Sequence, residues 1–162
     1  MPPIYVIDTH ALLALPSHCG DDTKIHLFFD ELTNQVSSGI LTFPNLVIQD
    51  CKEFAEGEIV HTWTKAVSAH RRYQSVDNGW QEEVLGLCED IADFDDVGEQ
   101  TPVLVAAMAM SLLDLGLEAS IVTEDRLELP NRRCLAEACG LLDVRAVTCL
   151  DFIQDCGMDG FL

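Results

Sequence analysis

Ile4-Tyr5-Val6-Ile7-Asp8-Thr9-His10-Ala11-Leu12-Leu13 opens with four apolar or aromatic residues and no polar alternation. That pattern predicts a strand buried on both faces, as in the centre of a parallel sheet. Asp8 ends the strand. Ligands of open α/β sheets bind beyond the carboxyl ends of the strands, so an acid there is aimed at a binding crevice. Thr9 is placed to cap a helix running through Ala11 to Leu15, which makes a tight strand-to-helix turn. The competing reading is that Asp8 is itself only the helix cap.

The chain has 162 residues, enough for one domain that buries roughly 70% of its unfolded surface. A single domain over residues 1–162 is expected. No run of 18 apolar residues occurs, and the N-terminal stretch lacks the basic and apolar regions of a signal peptide. These features predict a cytoplasmic protein with no membrane partner. Seven cysteines, with no CxxC pair, argue for buried free thiols over a disulfide framework or a zinc ribbon.

Charge is the most unusual property. Nine basic residues stand against 28 acidic ones, a formal net charge of −19. No Lys or Arg lies between Arg72 and Arg126, whereas thirteen acids do. Such a field repels nucleic acid at long range and counts against a free-standing, tight RNA binder. An acidic face serves solubility or salt adaptation, or it docks a basic partner.

Helical spacing of apolar residues over Thr23 to Val36 predicts a helix ending near Gly39, followed by a short strand, Ile40 to Phe43, stopped by Pro44. The next helix carries Asp50 and Glu53 on nearly one face, because positions three apart are neighbours. A right-handed crossover then lays this second strand beside the first. Residues 55–80 interleave Trp63, Arg71, Arg72, Tyr73 and Trp80; stacking on single-stranded bases and a helical insertion packed on the core are the two readings, the second favoured. Gln81 to Ala92 reads as an acidic amphipathic helix whose inner stripe is Val84, Leu85, Leu87, Cys88 and Ile91. A loop over 93–99 follows. Thr101 as cap, Pro102 at the first helical position and Gly116 past the end bound a helix so apolar that it must be central. Ser120 to Thr123 is another buried strand, and a short helix, a strand near Val144 to Val147 and a last helix over Leu150 to Cys156 complete the chain.

Tyr5-Val6-Ile7-Asp8-Thr9-His10-Ala11-Leu12-Leu13 resembles the opening of PIN domains, specifically of VapC-type toxin ribonucleases. Pro44 and Val47 leading to Asp50, and Val122-Thr123-Glu124-Asp125 after the later strand, resemble the same family, and the segment from Leu129 to Gly140 is similar to one of its branches. The resemblance implies a three-layer α/β/α PIN-like fold with a central, mostly parallel sheet of four to five strands. It further implies Mg2+ or Mn2+ held by Asp8, Asp50 and Asp125, the catalytic acids, with Glu53 and Glu99 in support. The family's Ala-Asp-Pro is here Gln100-Thr101-Pro102, so a threonine stands where an acid is usual. At an effective dielectric near 20, unit charges about 4 Å apart interact by on the order of 4 kcal/mol, so one missing carboxylate is significant.

On this reading the substrate is single-stranded RNA and the reaction is phosphodiester hydrolysis. Thr9, Thr101 and Thr123 would serve the substrate side, and Arg126, Arg132 and Arg133 would clamp phosphate, unless those guanidiniums pair with surface acids. A toxin-type nuclease implies a basic antitoxin or other protein partner, and a homo-oligomer is compatible with the sequence. The alternative is a PIN-like protein that has lost catalysis and acts as an interaction subunit through its acidic face. An aspartyl-phosphate phosphatase is disfavoured, because His10 occupies the place of that family's second acid.

Overall fold

A computed structural model describes residues 2–162. Four strands, β1 (Ile4–Ile7), β2 (Leu41–Thr42), β3 (Ala119–Val122) and β4 (Arg145–Val147), form one parallel sheet in the order β2-β1-β3-β4. Tyr5 pairs with Leu41, Ile7 with Val122, and Val122 with Val147, so all four carboxyl ends lie on one edge. From β1 the chain crosses first to β2 and later returns on the other side as β3. The carboxyl ends of β1 and β3 therefore flank the point where the winding reverses, the usual crevice of such sheets.

The uninterrupted apolar run of β1 follows from its two covered faces. Tyr5 and Ile7 face one layer, α1 (Thr9–Ala14), α2 (Ile25–Ser37), α3 (Asn45–Ala55), α4 (Ile59–Val67) and α8 (Cys149–Asp155). Ile4 and Val6 face the other, α5 (Asn78–Leu87), α6 (Thr101–Asp114) and α7 (Leu135–Leu142). Alternate side chains of a strand point to opposite faces, so the three-layer α/β/α fold is already written in those four residues. Eight residues of α6 are buried, from Val103 through Ala109 and at Leu112, as its all-round apolarity requires.

The insertion over 55–80 packs inward. Trp63 stacks edge-on with Phe29 at 5.4 Å and donates its indole N–H to Thr33 Oγ1 at 2.9 Å, satisfying its one polar atom. Arg71 is buried and donates to the Phe43 carbonyl and to Asn45 Oδ1 at 2.6 Å. Both residues serve the core. Leu87, placed by its spacing in the inner stripe of α5, is exposed, because the helix stops there and a 3-10 turn at Glu89–Ile91 redirects the chain. All seven cysteines are free, five of them buried. Among the described residues, no helix is long and apolar enough to cross a membrane.

Candidate functional site

Beyond the carboxyl ends of β1 and β3 lies a cleft of about 360 Å³. Asp8, Asp50, Glu53, Glu99 and Asp125 all line it, as do Thr9 and Thr101. Asp93 and Asp96, from the loop before α6, bring its carboxylates to seven; Arg132 is the one guanidinium among its lining residues.

Asp8 caps α1. Its Oδ1 accepts from the Ala11 N–H at 2.8 Å, and its Oδ2 accepts from the Thr123 hydroxyl. The cap is thus Asp8, not Thr9: the carboxylate ends the strand and reaches the helix's free N–H groups first. Thr123 is fully buried; its oxygen also accepts from the Asp125 N–H at 3.0 Å, tying the two strand ends together. Asp8 is only 6% exposed, and burial pushes its carboxyl up to about 6, against the opposing pull of its hydrogen bonds; the neighbouring Asp125 charge adds to the rise.

Asp50 sits on α3, turned toward the cleft. Its Oδ2 accepts from Thr9 Oγ1 at 2.7 Å and from the Thr101 hydroxyl. Thr101 is the first residue of α6, whose cap is Gln100, and its hydroxyl is spent on Asp50 instead of on the helix end. Gln100 stitches the preceding loop down, accepting from the Asp93 N–H and donating to the Asp93 carbonyl, both at 2.8 Å. Asp125 Oδ2 accepts from Arg132 at 2.9 Å and from the Leu135 N–H at 3.0 Å.

All three threonines expected on the substrate side therefore orient carboxylates. The three arginines divide. Arg132 lines the cleft and pairs with Asp125; Arg133 pairs with Asp90 at 2.9 Å and Glu137 at 3.5 Å beside a neighbouring hollow; Arg126 is exposed and donates its Nε–H to the Thr123 carbonyl. Arg133 is outside the acidic cleft because its backbone is pinned to the 3-10 turn at Glu89–Ile91, its N–H donating to the Asp90 carbonyl at 2.6 Å. Sequence reasoning missed His10 and Phe54, whose rings stand 5.4 Å apart on the rim. The signal was their placement, His10 two positions after Asp8 and Phe54 four after Asp50.

The donors are almost wholly carboxylate and hydroxyl oxygens, the chemistry of a hard cation such as Mg2+ or Mn2+. Among the described residues, none donates to Oδ1 of Asp50 or of Asp125, which leaves each an oxygen for coordination. The set is also wide. Among the described residues, the one group of three His, Cys, Asp or Glu ligand atoms all within 4.8 Å of one another is His18, Glu124 and Cys149, outside this cleft. Asp8, Asp50 and Asp125 do not converge that closely, so an ion held there would take one or two of these carboxylates and keep most of its waters, a mode open to magnesium. No protein-family model matches this chain, and no curated protein matches it.

Proposed function

We propose that this protein is a PIN-like, Mg2+- or Mn2+-dependent ribonuclease that hydrolyses phosphodiester bonds in single-stranded RNA. One observation carries the reading: Asp8, Asp50 and Asp125, from three separate chain segments, line one cleft beyond the reversal point of a parallel sheet. The cation would be held by Asp50 and Asp125 with Asp8 behind them, Glu53 and Glu99 contributing through water. When bound, it supplies Lewis-acid charge that lowers the pKa of an attacking water and stabilises the leaving oxygen.

The protein's own groups do the rest. Asp8, held by the Thr123 hydroxyl and the Ala11 N–H, presents a fixed carboxylate behind the two cleft-facing acids. Thr9 and Thr101 orient the Asp50 carboxylate. Arg132 is positioned to exchange its ion pair with Asp125 for a substrate phosphate, and the His10 and Phe54 rings offer a stacking surface for a base. Seven carboxylates make RNA binding depend on the cation, so cleavage should require free divalent metal and fail in chelator. A toxin role would add a basic antitoxin as partner.

The test is cleavage of a mixed-sequence single-stranded RNA by pure protein with Mn2+, alongside the Asp8→Asn variant. Metal-dependent cleavage lost in the variant supports the reading; equal cleavage by both proteins overturns it. A second reading, an interaction subunit without catalysis, is favoured by Thr101 bringing no charge and by Arg132 already neutralising Asp125. Calorimetric titration separates the two, since that subunit would show no saturable Mn2+ site.

A further inference from the structure

We infer that His18, Glu124 and Cys149 form a second metal site, of zinc-class chemistry, on the β3–β4 side of the same sheet edge. Their ligand atoms all lie within 4.8 Å of one another. The three residues are far apart in sequence, and the topology alone brings them together. His18 ends the 3-10 turn that continues α1 after β1, Glu124 follows β3, and Cys149 begins α8 after β4. Glu124 and Cys149 thus lie just beyond the carboxyl ends of neighbouring strands, and His18 reaches them from the end of the 3-10 turn after α1.

The backbone after β3 explains how two unlike sites share one edge. In an extended segment, successive side chains point to opposite sides. Thr123 turns to Asp8 and Asp125 turns to Arg132, both at the acidic cleft. Glu124, between them, turns the other way, and its Oε1 accepts from the Cys149 N–H at 2.8 Å. That bond holds the carboxylate beside the sulfur, the kind of outer support that orients metal ligands.

The donor set differs in kind from the cleft's. A thiolate, an imidazole and a carboxylate select zinc or a similar borderline cation over magnesium. Three protein ligands leave a fourth position for water, and the graded exposure, Cys149 buried, His18 half-buried and Glu124 exposed, gives an ion a path from solvent. Without a cation the thiol is protonated, since burial pushes it up, and it donates to the Ala11 carbonyl at 3.2 Å. On binding, the sulfur–metal bond replaces the S–H bond and the proton leaves to solvent. Because the Ala11 carbonyl belongs to the helix that Asp8 caps, this site abuts the acidic cleft without sharing a ligand with it.

Cobalt(II) reports the donors directly, because a thiolate ligand gives an intense charge-transfer band and a tetrahedral ion gives visible d–d bands. Of the Co2+ taken up by the full chain, one equivalent should carry both signatures, and Zn2+ should displace it. Cys149→Ser should abolish the charge-transfer band. Since Cys149 is buried, His18→Ala and Glu124→Gln provide variants at more accessible positions, each expected to weaken Zn2+ roughly 100-fold in competition with a chromophoric chelator. Asp50→Asn, which alters only the acidic cleft, should leave the charge-transfer band unchanged. No charge-transfer band in the folded parent, or a band and an affinity that survive both His18→Ala and Glu124→Gln, would overturn the assignment.

Discussion

The two walls of the acidic cleft are built differently. On the inner wall, at the ends of the two central strands, Asp8 is 6% exposed and the Asp125 side chain 14%, and each has defined donors on its oxygens. On the outer wall, Glu53, Asp96 and Glu99 are exposed, on α3 and on the loop before α6. Removing a charge from water is costly, so the inner acids are few and each is hydrogen-bonded; exposed charge is screened within about 10 Å at 0.1 M salt, so the outer acids can be many. In the proposed nuclease the inner wall determines geometry and the outer wall supplies field.

The largest effect should come from the inner wall. Asp8→Asn keeps a helix-capping oxygen but removes the charge, and Mn2+-dependent cleavage should fall on the order of 1,000-fold, the several kcal/mol that charge stabilisation at a metal site contributes. Glu53→Gln, on the outer wall, should cost no more than about 10-fold at 0.1 M salt. Steady-state cleavage assays compare them directly. Equal losses at both positions would erase the distinction between the walls.

The same substitution should stabilise the protein in chelator. Burial raises the Asp8 carboxyl from 3.8 in the unfolded chain to about 6 in the native state, so between those values the native state binds more protons. Stability contributed by this group is therefore complete below about pH 4 and lost as pH rises to about 6, a penalty on the order of 3 kcal/mol at neutral pH. With about 1–2 kcal/mol of that offset by imperfect hydrogen bonding of the amide, Asp8→Asn should exceed the parent by about 1–2 kcal/mol at pH 7 in EDTA, the advantage falling to zero near pH 5 and reversing below it. Urea unfolding across pH 4 to 7 measures it. A variant less stable than the parent at pH 7 would show that Asp8 is fully compensated by its donors.

Thr101→Asp tests the junction of the walls. Residue 101 is the first of α6, where an acid also suits the helix dipole. In chelator, a carboxylate against Asp50 should lower stability by about 1 kcal/mol; with Mn2+ present it should tighten binding about 10-fold by calorimetry. Weaker Mn2+ binding in the variant would place the cation elsewhere.

Most of this arrangement was legible in the sequence because strand burial and helix punctuation are local. The unbroken apolar run of β1, Pro102 with Gly116 around α6, and the second strand before Pro44 each carry their own physical signature, and the sheet follows from them. What was not legible was the use of hydroxyls and guanidiniums. Thr9 looks like a helix cap by position, yet Asp8 takes the cap and frees Thr9 for Asp50, a partner 41 positions away. Arg133 looks like a phosphate clamp, yet it finds Asp90, 43 positions earlier, in the 3-10 turn at Glu89–Ile91. The His18, Glu124 and Cys149 group has no spacing motif at all, since its members meet only once the strands are ordered.

The smallest expected effect probes how Asp50 is held. Thr9 is buried and isosteric with valine, so Thr9→Val removes one hydroxyl with little change in packing. Thr101 still donates to the same Asp50 oxygen, so Mn2+ affinity should fall only about 3-fold, less than one full hydrogen bond. Thr101→Val alone should behave likewise, for the same reason. In the double variant neither donor remains, the carboxylate is free to rotate away from the inner wall, and the loss should exceed the product of the single effects. A strictly multiplicative result from this double-mutant cycle would mean that the two threonines act independently and that Asp50 is oriented by the packing of α3, not by its hydroxyl partners.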